Sequence, residues 1–197
     1  MVSILFDGPV GSLEGCLELK ESNTGAVLCH PHPLYGGTMH DNVLQALHFG
    51  LSSQNCSTLR FNFRGVGSSS GTHDDGNGEV DDLVVAVEYL QSLGSSRTVL
   101  AGYSFGAVMC LKAAPIVKPV AMVLVAPPIK MLHEFVEPES SCMVILGRED
   151  QLVPVEQTSA GFSNSLVELI DDADHFFHGA HDQIESLVSG KVTTLWN

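Results

Sequence analysis

The stretch that most constrains this chain is Gly102-Tyr103-Ser104-Phe105-Gly106. It follows the short apolar run Thr98-Val99-Leu100-Ala101 and precedes Ala107 to Ala114, which has helical composition and no breaker. A serine between glycines at a strand-to-helix join suits a sharp turn that holds the hydroxyl exposed in a strained conformation. The glycines let strand, turn and helix approach one another without a Cβ collision. A helix beginning just after the serine would also aim free N–H groups and its positive dipole end at that spot. The five-residue pattern is short and turns up in ordinary loops as well; the strand before it and the helix after it give it structural weight.

The rest of the chain supplies a matching frame. Ser3 to Phe6 and Leu13 to Leu19 read as strands joined by a turn containing Gly8-Pro9 and Gly11. Ala26 to Cys29 is a brief buried strand opening into His30-Pro31-His32-Pro33-Leu34-Tyr35-Gly36-Gly37. Thr38 to Ser52 reads as a helix, capped by Thr38 or Asp41, with Val43, Leu44, Leu47 and Leu51 on one face. Thr58 to Phe63 alternates apolar Leu59, Phe61 and Phe63 with Arg60 and Asn62, and ends in the loop Arg64 to Gly71. Glu79 to Leu93 is the clearest helix, with Val80, Leu83, Val84, Val87 and Leu90 as its buried stripe and Gly94 as its stop.

After the Ser104 turn and its helix come strands at Val120 to Ala126, Cys142 to Leu146 and Leu166 to Ile170. A helix over Pro154 to Ser163 and a last one from about Ala180 complete the order. Strands alternating with helices after an opening hairpin predict an α/β fold in one domain, 1–197, with a mostly parallel eight-stranded sheet covered on both faces. Ligands of such sheets bind at the carboxyl ends of the strands. The loops expected there are His30 to Gly37, Arg64 to Gly71, the Ser104 turn, Gly147 to Pro154 and Asp171 to Gly179.

Charge narrows the partners. With nine Lys and Arg against 23 Asp and Glu, the net charge is −14. Such a surface repels phosphate backbones and anionic bilayers, so neither nucleic acid nor membrane is expected as a partner. No window has the run of apolar residues that a membrane span needs, and the N-terminus lacks the basic and apolar regions of a signal peptide. The five cysteines, at 16, 29, 56, 110 and 142, are scattered and odd in number. They read as reduced core residues of a cytoplasmic protein. Oligomeric state stays open between monomer and homodimer.

A serine is a poor nucleophile until a base removes its proton, and the base must be held in one tautomer by an acid. Downstream of Ser104, Asp150 lies in Gly147-Arg148-Glu149-Asp150-Gln151-Leu152-Val153-Pro154 and His175 in Ala173-Asp174-His175-Phe176-Phe177-His178-Gly179. The order Ser, Asp, His and the strand layout resemble the α/β-hydrolase superfamily over nearly the whole chain. The HPHPLYGG loop, Phe63-Arg64-Gly65-Val66-Gly67 and the ADHFFHG segment look like a family of small, lid-less hydrolases related to dienelactone hydrolases.

That resemblance implies Ser104 as nucleophile, His175 as general base and acid, and Asp150 as the residue orienting His175. Asp174 and Glu149 are the alternative acids. For the oxyanion hole, one donor is the Phe105 N–H, and the second comes from the loop after Ala26 to Cys29. Pro31 and Pro33 have no N–H, which leaves His32 or Leu34; aligning His30-Pro31 with the superfamily's His-Gly-X selects His32.

Leu34, Tyr35, Tyr103 and Phe176, with Met131, Leu132, Phe135 and Leu152, are the candidates for an apolar substrate wall. Each of them is also plausible as core. The segment 127–141 is too short for a helical lid, which predicts an open, shallow site. His175, His178 and His181 share a three-residue spacing, but Gly179 interrupts the helix a metal site there would require; no metal or cofactor is expected. His178 is expected to support the site or cap the last helix, and His40, His48, His73 and His133 to serve surface or packing roles. Arg64 is expected to tie its own loop together.

The expected activity is a serine hydrolase of small carboxylic esters or related acyl bonds working through an acyl-enzyme. Its rate should rise through about pH 6–7.5 as the histidine becomes neutral. A thioesterase, a peptidase and a catalytically silent binding scaffold are the alternatives. The serine itself argues against transferring the cysteine chemistry of dienelactone hydrolases.

Overall fold

A computed structural model describes residues Met1–Trp196. The strands β1 (Val2–Gly8), β2 (Gly11–Glu18), β3 (Thr24–Cys29), β4 (Ser57–Phe61), β5 (Arg97–Tyr103), β6 (Ala121–Val125), β7 (Ser141–Gly147) and β8 (Leu166–Ile170) form one eight-stranded sheet. Its order is β1-β2-β4-β3-β5-β6-β7-β8, parallel throughout except where β2 pairs with β1 and β4. The central strands β3, β4 and β6 are buried along their whole length, whereas β1 and β2 at the edge keep an in–out alternation.

The helices are α1 (Asn42–Ser53), α2 (Gly78–Ser92), α3 (Phe105–Val117), α4 (Val155–Gly161), α5 (His181–Lys191) and α6 (Thr193–Trp196). From β3 the chain moves one way along the sheet to β4, then reverses past β3 to β5 and onward. Right-handed crossovers therefore put α1 on one face and α2 and α3 on the other. The helix pairs agree: α1 packs on α5, and α2 on α3. The reversal point lies between β3 and β5, where the outgoing loops part and leave a crevice. Among the described residues no helix is long and apolar enough to cross a membrane.

Two boundaries differ from the expectation for a local reason. The first helix starts at Asn42, not Thr38, because the Tyr35 and Gly37 N–H groups both turn back to the His32 carbonyl, and Asp41 is the residue whose side chain caps α1. The strand expected to reach Phe63 ends at Phe61, since the Phe63 N–H donates to His30 Nε2 and not to a strand partner. Arg60 and Asn62, the polar positions of that strand's alternation, are buried as well, because helices cover both faces. In α2, Val80 and Val84 are only partly buried, and the buried face instead carries Glu79 and Asp82 beside Leu83, Ala86 and Leu90. The last helix is two, α5 and α6.

Candidate active site

Ser104 stands between β5 and α3 with φ 53° and ψ −116°, a conformation that a non-glycine residue adopts only under constraint. The constraint is the close approach of backbones. A Cβ at Gly106 would collide with the carbonyl of Cys29 at the end of β3, and one at Gly102 would meet Gly106 backbone atoms at 2.6 Å. Both flanking glycines are therefore required by packing. The serine's own N–H is anchored to the Val125 carbonyl at 2.9 Å, so the turn is held from β6 as well.

His175 and Asp150 come to this turn from the loops after β8 and β7. Ser104 Oγ lies 3.0 Å from His175 Nε2, and His175 Nδ1 lies 2.8 Å from Asp150 Oδ2. An ionised carboxylate can only accept, so Nδ1 carries the ring proton and Nε2 faces the hydroxyl as an acceptor. Asp150 Oδ1 accepts the N–H groups of Leu152 and Val153, each at 2.8 Å. Burial works to raise the Asp150 carboxyl, but the His175 bond and these two amides outweigh it and hold its pKa below the ordinary value. Tyr103 fixes the other side of the loop, its hydroxyl donating to the His175 carbonyl at 2.9 Å. Burial pushes the Tyr103 phenol up, so it stays a donor.

The alternative acids point elsewhere. Asp174 accepts the Phe176 N–H at 2.9 Å in its own turn, and Glu149 is exposed. His178 is exposed too, 3.7 Å from Asp174, and α5 begins without a side-chain cap, so the site-supporting or capping role expected of His178 is not what the fold gives it.

At the reversal point of the sheet, the His30–Gly37 loop lies against the Ser104 turn. The Leu34 N–H donates to His32 Nδ1 at 3.2 Å. Among the described residues no acceptor takes the backbone N–H of His32 or of Phe105. The His32 and Phe105 rings pack at 4.9 Å, which keeps the two backbones together. Burial first, then the neighbouring His73, lowers the His32 pKa and favours the neutral ring.

The pocket above Ser104 has a volume of about 670 Å³. Tyr35, Tyr103, Met131, Leu152 and Phe176 line it, as do His32, Phe105 and Asp41. Tyr35 is 88% and Phe176 54% exposed, so the mouth is rimmed by uncovered aromatic rings. Leu34 is exposed and is not part of the wall; in the 3₁₀ turn Pro33–Tyr35 it projects away while Tyr35 faces the cavity. Leu132 and Phe135 are absent from the wall as well, and Phe135 packs against Phe162 at 4.9 Å. Another cleft, of about 540 Å³, is walled by Leu111, Pro115, Lys118 and Glu137 and has no nucleophile–base pair.

Residues 26–140 match the profile of the alpha/beta hydrolase family. The chain belongs to that family. A solved alpha/beta serine hydrolase homologue from Coxiella burnetii is 35% identical to it, with a TM-score of 0.91 and 97% of each chain covered. A member of the alpha/beta serine hydrolases without a lid, from Xanthomonas campestris, is 30% identical with a TM-score of 0.91 over 98% of this chain and 94% of that one. A curated relative, an uncharacterised protein of Rickettsia prowazekii, is 29% identical over 214 residues, 99% of this chain and 90% of the relative. This alpha/beta hydrolase is likewise lid-less: between β6 and β7 it has only the 3₁₀ turn Ile129–Met131.

Three supports of the candidate site have partners that the sequence does not show. His30, fully buried, accepts the Phe63 N–H at Nε2 and donates from Nδ1 to the Pro31 carbonyl at 2.6 Å, tying the loops after β3 and β4 together. Arg64 does tie its loop, but through Asp82 of α2, whose carboxylate takes the Arg64 amide at 2.9 Å and the guanidinium at 2.7–3.1 Å. His73 sits 5.0 Å from the His32 ring and 5.7 Å from Phe105, with Nδ1 2.7 Å from buried Glu79 but not aligned for a hydrogen bond. Glu79 and Asp82 are three apart on a helix, on the same side as Leu83 and Ala86. Two acids sharing a helix face with the apolar stripe were the available signal.

Proposed function

We propose that the chain is a serine hydrolase of small carboxylic esters or related acyl bonds, thioesters included, working through an acyl-enzyme. The observation that carries this reading is the unbroken relay from Ser104 Oγ through His175 to Asp150 beside two unengaged backbone N–H groups.

In the proposed cycle, Ser104 Oγ bonds to the substrate carbonyl carbon as its proton passes to His175 Nε2. The carbonyl electron pair moves onto oxygen, and that oxyanion receives the N–H groups of His32 and Phe105. Collapse of the tetrahedral species breaks the bond to the leaving alcohol or thiol, which takes the proton from His175. Water then attacks the acyl-enzyme, giving its proton to His175, and the acid departs as Ser104 regains its hydrogen. Asp150 stabilises the imidazolium that forms twice in this cycle. None of these steps draws on a cofactor. The lid-less mouth favours short acyl groups, and five cysteines without disulfides suit work in the cytoplasm.

The test is labelling by a fluorophosphonate. The wild-type protein is expected to become labelled at Ser104, and Ser104→Ala to abolish the label. Persistent labelling of that variant at another residue would sink the assignment. A chain-length series of chromogenic esters adds the substrate range, with turnover expected to fall as the acyl chain lengthens.

A further inference from the structure

The two carboxylate oxygens of Asp41 are engaged differently. Oδ1 accepts the N–H groups of Val43 and Leu44 at 2.8 and 3.3 Å and so caps α1. Among the described residues nothing hydrogen-bonds to Oδ2, and Asp41 lines the Ser104 pocket beside Gly37 and Tyr103. Among the described residues it is the one carboxylate of that wall, since Asp150 lies behind His175, and no lysine or arginine of theirs lines the cavity. Burial raises the Asp41 carboxyl above its ordinary value, against the opposing pull of the Val43 and Leu44 amides and, more weakly, of His181 at the start of α5, so a cation brought to Oδ2 would favour the charged form. A half-buried carboxylate without a cationic partner is a charge that a ligand can pair. The exposed rings of Tyr35 and Phe176 at the same mouth offer faces that attract a cation.

We infer that Asp41 sets the charge preference of this pocket. Substrates carrying an ammonium group remote from the scissile carbonyl are favoured over neutral ones, and carboxylate-bearing ones are disfavoured. The acyl nature of the substrate rests on the hydrolase reading above; the order of charges does not.

The experiment uses p-nitrophenyl esters whose acyl chains end in a trimethylammonium, a methyl or a carboxylate group. For each, kcat/KM is divided by the ester's rate of hydrolysis by hydroxide. The expected order is ammonium, methyl, carboxylate, with about tenfold per step at low salt. In Asp41→Asn, which keeps an Oδ1 acceptor for the helix cap, the ratios are expected to collapse toward one. An order that survives in the variant assigns it to the overall negative charge and overturns the inference, as does the absence of any order in the wild type. If no ester turns over, the hydrolase reading fails by itself. The same three tails on uncleavable methyl ketones, titrated calorimetrically into Ser104→Ala with and without Asp41→Asn, then decide. A charge order in binding that disappears with Asp41→Asn upholds the inference, and equal binding of all three tails overturns it.

Discussion

Two buried histidines occupy strand-end loops of this protein, His30 after β3 and His175 after β8, at 0% and 6% exposure. Each has hydrogen-bonding partners at both ring nitrogens. His30 gives both to the backbone, one to the Pro31 carbonyl and one to the Phe63 amide. His175 gives one to Asp150 and turns the other on a side-chain hydroxyl held in a strained turn. Burial and hydrogen bonding are therefore common to a clamp and to a candidate base. What separates them is the partner of the second nitrogen: a backbone amide donates a hydrogen bond but keeps its proton, whereas a serine hydroxyl can give its proton up as its oxygen attacks a carbonyl.

The comparison breaks most sharply at the rate. His175→Gln is expected to lower kcat toward hydrolysable esters by about 10⁴-fold or more with the protein still folded. His30→Leu should cost less than roughly tenfold per folded molecule, because it touches the loops after β3 and β4 and not the Ser104–His175–Asp150 relay itself. A His30 variant as inactive as the His175 variant would end the distinction. Asp150→Asn comes next, with an expected loss of about 10³–10⁴-fold as the ring is left free to take the wrong tautomer. Circular dichroism and a thermal melt check that the fold survives.

The clamp also leaves a mark on stability as a function of pH. Burial, against a smaller opposing effect of the Pro31 hydrogen bond, lowers His30 to about 4 from 6.5. Between those values the unfolded chain binds more protons, so stability rises with pH across that window. It is fully present above about 6.5 and is lost as the pH falls toward 4. The full effect is about 3 kcal/mol, read as the difference in denaturant midpoints between wild type and His30→Leu across pH 4–7. A constant difference between the two proteins over that range contradicts it. The smallest effect concerns Tyr103, whose hydroxyl holds the His175 carbonyl. Tyr103→Phe should cost about 1 kcal/mol of stability and lower kcat severalfold with KM little changed, as steady-state kinetics would reveal.

Much of this arrangement was legible in the chain itself, and the reason is local. Strand periods, the helix after Ser104 and the glycines around it express near-neighbour sterics, so they can be read one segment at a time. The succession of Ser104, Asp150 and His175 could be placed in loops before any contact was known, because each follows a strand. The N–H left to His32 needed only the missing donors of Pro31 and Pro33 to narrow it to two residues. The Leu34 N–H bound to His32 Nδ1 separates those two, and that bond appears only once the 3₁₀ turn is formed.

The remainder belongs to the tertiary structure. That Gly106 must be glycine depends on the Cys29 carbonyl, brought alongside by pairing of β3 with β5. The burial of Glu79 and Asp82 depends on which face of α2 meets the loops after β4, and a polar residue in sequence carries no sign of a partner far along the chain. Asp41 is the clearest case: its sequence neighbourhood announces a helix cap, whereas its place on the pocket wall follows from the reversal of strand order between β3 and β5. Local sterics and hydrogen-bonding capacity are written residue by residue along a chain; proximity between distant residues exists only after the sheet has closed on itself.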